Sequence, residues 1–207
     1  YIHGGGRIGV LVAGNGASDD AAKEALTNIA MQIAAMNPQY ISRDEISADE
    51  LAKMKEITID SALNDPFSLP KPVLSKLIEK AVAGVWSAED VAIYEEKKSN
   101  MNFLPNFLSK EAKAQLAEIA CADKEEISGN KIFSGLVEGR ISKQMKEICL
   151  LDQVYVKAED GKQTVAAYLK SVNPALKIAK FVRFEVGEGM EKKNEDFAAE
   201  VAKQMNV

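Results

Sequence analysis

Apolar positions along this chain change period several times, and each change predicts a different element. Residues 7–12 read Arg-Ile-Gly-Val-Leu-Val, a short aliphatic run with glycine on both sides. Such a run predicts a strand, ended by the turn Gly14-Asn15-Gly16. Ser18, Asp19 and Asp20 then offer N-caps for a helix reaching Met36. Its stripe of Ala22, Leu26, Ile29, Ile33 and Met36 alternates spacings of four and three, which places one face against a core. Asn37-Pro38 stops it, because proline restricts the residue before it.

From Ser47 the pattern becomes helical throughout. Ser47-Ala48-Asp49-Glu50 is a capping box, and a charged helix follows to about Leu63 before Asn64-Asp65-Pro66 breaks it. Pro70-Lys71-Pro72 opens another helix with Leu74, Leu77, Ile78, Ala81, Val82 and Val85 on one face. Ser87-Ala88-Glu89-Asp90 starts a third, to about Lys98. A loop over 100–106 precedes a fourth, capped by Ser109 and running to about Cys121. The last covers roughly 130–148, with Phe133, Val137, Ile141, Met145 and Ile148 in register. Residues 47–52 and 87–92 look alike at an offset of 40. Two capped helix starts explain this more simply than a repeat.

After Cys149 short strands return. Val154-Tyr155-Val156 predicts a strand, Asp160-Gly161 a turn, and Thr164 a cap for a helix over 165–172 that Asn173-Pro174 ends. Residues 176–186 predict a long strand with Ile178, Val182, Phe184 and Val186 on the core side. Lys177, Arg183 and Glu185 fall outside, and Phe181 breaks the alternation. A final amphipathic helix over 194–205 uses Phe197, Ala198, Val201 and Met205. The expected fold class is therefore α+β, a small antiparallel sheet with helices interrupted by a long helical hairpin or bundle. Residues 1–46 and 149–191 are expected to form one discontinuous domain, 47–148 a helical, coiled-coil-like insertion, and 192–207 a C-terminal helical module.

Composition narrows the function. Apolar residues make up 46% of the 207, enough for packed cores. Lys and Arg number 26 against 31 Asp and Glu, a net charge of −5. That balance gives no excess positive charge for a nucleic-acid backbone, so no direct nucleic-acid partner is expected. No apolar run approaches the ~18 residues of a membrane span, and no membrane partner is expected either. The opening Tyr1-Ile2-His3 lacks the basic start and apolar stretch of a secretory signal. It also lacks an initiator Met, which suggests a piece of a longer chain. Two cysteines, Cys121 and Cys149, suit a reducing cytoplasm better than a disulfide framework.

Candidate chemistry is sparse. Gly4-Gly5-Gly6-Arg7-Ile8-Gly9 fits G-x-G-x-x-G in letters, but a dinucleotide fingerprint follows a strand and opens a helix, and here a strand follows. Gly161-Lys162-Gln163-Thr164 lacks the remaining residues of a phosphate loop. His3 is the only histidine, and metal-ligand spacing is absent. Cys149, beside Ile148, Leu150 and Leu151, reads as a buried structural thiol, with a Cys-dependent enzyme as the remote alternative. No enzyme constellation, cofactor or catalytic residue emerges. The residues by themselves indicate a binding or assembly protein with a helical projection.

Several stretches together resemble the elongation factor Ts family. They are His3-Gly4-Gly5-Gly6-Arg7-Ile8-Gly9-Val10-Leu11-Val12, then Ile29-Ala30-Met31-Gln32-Ile33-Ala34-Ala35-Met36-Asn37-Pro38, and the signature Phe181-Val182-Arg183-Phe184-Glu185-Val186-Gly187-Glu188-Gly189-Met190-Glu191-Lys192. Leu136-Val137-Glu138-Gly139-Arg140 and Cys149-Leu150-Leu151-Asp152-Gln153 lie between them in the family's order. The resemblance covers about 1–63 and 128–207, while 64–127, with no counterpart in the short hairpin expected of the family, looks like a lineage-specific helical enlargement.

The resemblance implies a guanine-nucleotide exchange factor for elongation factor Tu, promoting GDP release during translation elongation. It also implies the second subdomain of a two-part core, with an antiparallel helical hairpin inserted and a homodimer formed through that insertion. The N-terminal module and the Thr-Asp-Phe-Val motif that wedges into the partner are not among these residues. His3 matches a partner-contacting histidine, Gly4 and Gly5 would allow close backbone approach, and Val156 matches the interface edge. Phe197 and Val201 sit on the terminal helix that packs on the partner. A self-association module without exchange activity is the alternative.

Overall fold

Three antiparallel strands and eight helices make up residues 1–190, the part of the chain that the computed structural model describes. The expected helix over 194–205, with Phe197 and Val201, lies outside the described residues. Contacts divide the chain into two units. The first joins residues 1–37 to those from 155 onward, and the second is 38–154. Residues 38–46 and 149–154, expected with the sheet, group with the helices instead. Gln39 and Tyr40 N–H donate to Ile148 O, and Leu150 N–H donates to Tyr40 O, so the segments entering and leaving the helical unit run side by side.

The sheet of the first unit has the order β1 (Ile2–His3), β2 (Ile8–Asn15), β3 (Lys177–Glu185). The expected strand over 7–12 is longer than its pattern indicated, and Gly14 and Asn15 belong to it. From Ile8 opposite Glu185 to Ala13 opposite Lys180 the two long strands pair residue for residue. Gly14 then faces Ile178, leaving Ala179 as an extra residue. Such a bulge reverses the alternation of the bulged strand. Ile178, Phe181 and Arg183 consequently share one face, opposite Gly14, Val12 and the buried Val10. The core parity expected for this strand was therefore wrong past the bulge: Phe184 is 59% and Val186 77% exposed. Phe181, which breaks the sequence alternation, lies opposite Val12 on the interior face.

Helix α1 (Asp20–Met36) packs on β2 and on α8 (Val165–Val172). Asp19 caps it by accepting from Ala22 N–H at 3.0 Å, and Asn37 ends it in a left-handed conformation, φ 45°. Ala22, Ile29 and Ile33 are buried as the stripe predicts, Leu26 is half-buried, and Met36 is exposed. Gly16 is obligatory between β2 and α1. Its φ is +88°, and a Cβ there would lie 1.8 Å from Ala175 O. Val154-Tyr155-Val156 is not a strand. Tyr155 N–H is taken by Gln163 O and Val156 N–H by the Gln32 side chain, and the chain turns at once, with Ala158 N–H donating back to Tyr155 O.

The second unit contains α2 (Ala48–Asn64), α3 (Lys71–Val82), α4 (Ala88–Lys97), α5 (Lys110–Ala122), the short α6 (Lys124–Ser128) and α7 (Lys131–Ile148). The expected capping box is complete: Ser47 Oγ accepts from Glu50 N–H and the Glu50 carboxylate accepts from Ser47 N–H. Leu63, Leu74, Leu77, Ile78, Leu104, Leu116, Phe133 and Val137 form one continuous core. Each such side chain contributes ~1.5–3 kcal/mol when fully buried. Trp86 joins them and its indole N–H donates to Ala112 O at 2.9 Å. Val85 lies past the end of α3 and is exposed.

Asp90, a buried acid, ties α4 to α5. Its carboxylate accepts from Ser109 N–H at 3.0 Å, Ser109 Oγ–H at 2.7 Å and Ser87 Oγ–H at 3.0 Å. Both serines are themselves N-caps, Ser87 of α4 and Ser109 of α5. The likeness between residues 47–52 and 87–92 thus stops at the cap: Glu50 closes its own helix, whereas Asp90 reaches across to another.

Burial alone would raise the Asp90 pKa, but the three hydrogen bonds outweigh it and hold the carboxyl below its ordinary range. A depressed acid contributes stability that is complete above its unfolded pKa and is lost as pH falls through the folded value. Asp90→Ala should cost about 2–3 kcal/mol in urea unfolding near pH 7. The gap from the parent chain should narrow on acidification below about pH 4. A gap independent of pH would mean that the carboxylate charge contributes nothing.

Gln32 lies about one turn before the end of α1 and binds Val156, so the chain leaves and rejoins the first unit at one end of this helix. Replacing residues 38–154 with a short Gly/Ser linker should leave a folded sheet-and-helix unit by circular dichroism. An unfolded product would show that the helical unit completes its core.

Candidate functional site

Three consecutive glycines make the tightest feature near the sequence-predicted contacts. Gly4, Gly5 and Gly6 have φ of +61°, +66° and +95° and reverse the chain between β1 and β2. No atom lies within 4 Å of a Cβ built on Gly5 or Gly6. Their need for glycine is therefore conformational, and their backbone stands open to an approaching surface. His3 does not precede the first strand, as expected, but lies in one: it pairs with Ile8. Its exposed ring is fixed by a 2.9 Å hydrogen bond between Nδ1 and the Tyr1 hydroxyl. The sequence missed this ladder because a two-residue strand has no period.

The sheet face turned away from α1 carries apolar side chains. Ile2 stands over Gly9, with a Cβ on Gly9 3.6 Å from Ile2 Cδ1, and Phe184 lies opposite Gly9 on the other side. Leu11 and Val182 form the next pair. Ile2 is 70% and Leu11 66% exposed. On the α1 side, Arg183 is nearly buried. It pairs with Glu185 at 2.8 Å and reaches Ala34 O at 3.5 Å. The signature stretch over 181–186 thus presents alternating residues to the interior and to the outside, which the bulge conceals in the sequence.

Val156 sits on a different element, the loop between Tyr155 and α8. Its N–H donates to Gln32 Oε1 at 2.8 Å, and its side chain is about half exposed. The loop is fastened to α1 by polar groups that the apolar stripe did not reveal. Lys157 Nζ donates to Asn28 Oδ1 at 2.7 Å, and Asn28 Nδ2 donates to the Tyr168 hydroxyl at 2.8 Å. Tyr168 stacks on Tyr155 with ring centroids 4.0 Å apart. Burial, and then the Tyr168 hydrogen bond, push the Tyr155 phenol well above its ordinary pKa, so it stays protonated. Val156 is therefore presented by a rigid loop. The structure places it on a separate element from His3, Gly4 and Gly5.

The remaining chemistry is structural. Cys149 is buried, and burial pushes its thiol up and away from thiolate reactivity. Cys121 is exposed. Among the described residues no group of three His, Cys, Asp or Glu could hold a metal ion. The Gly161-Lys162 loop is an aspartate turn: the Asp160 carboxylate accepts from Lys162 and Gln163 N–H, which holds its pKa down. Its backbone donors are thus taken by Asp160, and the loop does not cradle a phosphate. No described helix is long and apolar enough to cross a membrane.

Comparison with known proteins covers both units. A family model described as elongation factor TS matches residues 1–188. The chain is 36% identical over 208 aligned residues to elongation factor Ts of Clostridioides difficile, covering 99% of this chain and 48% of that protein. It is 34% identical to elongation factor Ts of Desulforamulus reducens and 37% to that of Alkaliphilus metalliredigens, covering 70% of each. The chain thus spans between about half and 70% of these relatives' length. The matches run through 64–127 as well, so these relatives share the helical enlargement there. With its opening glycine turn, its α1 and its β3 signature all inside the matched span, this chain belongs to the elongation factor Ts family.

Proposed function

We propose that this chain works in translation elongation by binding elongation factor Tu and favouring release of its GDP. The single observation that carries the reading is the family match over residues 1–188, which includes both the turn at His3 and the β3 signature. An exchange factor acts by differential binding. It holds the nucleotide-free GTPase more tightly than the nucleotide-bound form, and linkage requires that it weaken nucleotide affinity by the same factor. Such a protein needs preorganised contact surface and no nucleophile. His3 fixed in a ladder, the open backbone at Gly4 and Gly5, and Val156 on a fastened loop supply surface of that kind. Phe197 and Val201 are proposed as further contacts. The site of action proposed is the cytoplasm.

The Thr-Asp-Phe-Val wedge of the family is not in this sequence. The chain by itself should therefore bind elongation factor Tu yet accelerate fluorescent-GDP release much less than the longer Clostridioides difficile relative does. Equal acceleration by the two would show that the wedge is dispensable.

His3→Ala should weaken binding to elongation factor Tu about fivefold, the effect of removing one contributing interface side chain. The thermal midpoint should stay close to that of the parent, since the ring lies on the surface. Unchanged affinity in a titration would remove His3 from the contact surface.

A further inference from the structure

Asparagine stands before glycine once in this sequence, at Asn15-Gly16. Such a pair reacts with itself: the backbone nitrogen of the second residue attacks the side-chain carbonyl carbon of the first. Most successors of asparagine hinder that attack with a β-carbon, and glycine has none. Here the fold admits no other successor. Gly16 has a φ of +88°, and a Cβ on it would lie 1.8 Å from Ala175 O. The reactive pairing therefore follows from the packing of the joint between β2 and α1.

Both reacting groups are free. The Asn15 side chain is exposed and, among the described residues, makes no hydrogen bond. Asn15 is the last residue of β2 and pairs with Lys177 beyond the bulge at Ala179. Gly16 lies past the ladder, and among the described residues its N–H has no backbone acceptor. Ring closure requires the last pair to open, and the end of a ladder opens at little cost. Asp160-Gly161 is the contrasting case. Gly161 also has a positive φ, +64°. There, however, the Asp160 carboxylate accepts from Lys162 and Gln163 N–H at 2.8 and 2.9 Å, and Gly161 N–H donates to Ala158 O at 3.2 Å. Electrophile and nucleophile are each held by another partner. Asn37 and Asn173 precede prolines, which have no N–H to give up.

We propose that Asn15 is a site of spontaneous modification, losing its side-chain amide to become aspartate or isoaspartate, and that the isoaspartate form loosens the joint of β2 and α1. Gly16 N gives up its proton to solvent base and bonds to Asn15 Cγ. The Cγ–Nδ2 bond breaks, and Nδ2 takes up a proton and leaves as ammonia. Water then opens the cyclic imide. Breaking the bond from Cγ to the Gly16 nitrogen leaves aspartate and an unaltered main chain. Breaking the bond from the Asn15 main-chain carbonyl carbon to that nitrogen leaves isoaspartate, with the main chain running through Cβ and Cγ. In sum, water is taken up and ammonia released. The aspartate product puts a carboxylate opposite Lys177, a favourable cross-strand pair. The isoaspartate product adds a methylene to the main chain directly before Gly16, beside its close contact with Ala175.

The test ages the chain and its Asn15→Gln variant in mildly alkaline buffer and maps their peptides by mass spectrometry. In the parent, Asn15 should show the mass gain of an amide-to-acid conversion at a rate within about tenfold of that in the free peptide of residues 11–20, the factor for opening a terminal pair. Asp160 should yield no isoaspartate in the same time. The thermal midpoint of the aged parent should fall by about 2–4 °C as isoaspartate accumulates, while aged Asn15→Gln and freshly made Asn15→Asp keep the parent value. An Asn15 amide still intact after the free peptide has converted overturns the site. Isoaspartate forming at Asp160 as fast as at Asn15 overturns the protection by hydrogen bonds. A midpoint that falls equally in aged Asn15→Gln overturns the loosening of the joint.

Discussion

Pairing of β2 with β3 is the contact on which the first unit depends, and it joins residues roughly 160–180 positions apart, from Asn15 opposite Lys177 to Ile8 opposite Glu185. Closing so long a loop costs only slightly more entropy than closing one of half the length, because the cost grows with the logarithm of length. A helical unit can therefore stand between the two strands without forbidding their pairing. The entry and exit of that unit are tied by the Tyr40–Cys149 bridge, and Val156 is tied to Gln32 of α1. Those two ties bring the distant strand within reach of its partner.

The bulge at Ala179 then decides what the sheet offers to each side. Without it, Phe184 would follow Ile178 inward and Arg183 would face outward. With it, Arg183 lies against α1 and pairs with Glu185, while Phe184 joins Ile2 and Leu11 outside. One inserted residue thereby exchanges a guanidinium for a phenyl ring on the exposed face. Leaving apolar side chains in water sacrifices burial free energy, which a monomer ordinarily recovers by turning them inward. Here the register holds them out, next to the glycine turn that follows His3.

In the helical unit a comparable decision falls to Asp90. Removing one carboxylate from water is costly unless its oxygens are satisfied, and here two cap serines and one backbone N–H do so. The group that satisfies the acid is also the group that starts the helix. The N-termini of α4 and α5 are consequently fixed to each other. The same Ser-x-x-acid spacing at Ser47 closes on itself.

Local chemistry made much of this legible in the chain. Caps at Asp19, Ser47, Ser87, Ser109 and Thr164, proline stops, and stripes of period 3.6 depend on residues within four or five positions of one another, so these helices were readable from sequence. The same holds for the motif residues His3, Gly4 and Gly5, whose order along the chain carries the family resemblance. Tertiary structure alone decided which face of β3 is inside, that His3 stands in a strand, that Val154-Tyr155-Val156 turns instead of extending, and that Asp90 serves a second helix. Three of these depend on a partner beyond any local period, Gly14 opposite Ile178, Gln32 on Val156 and Ser109 on Asp90, while His3 finds Ile8 only through the reversal at the glycine turn. A backbone donor or a buried carboxylate takes the partner that folding brings to it, and no local period records which one that is.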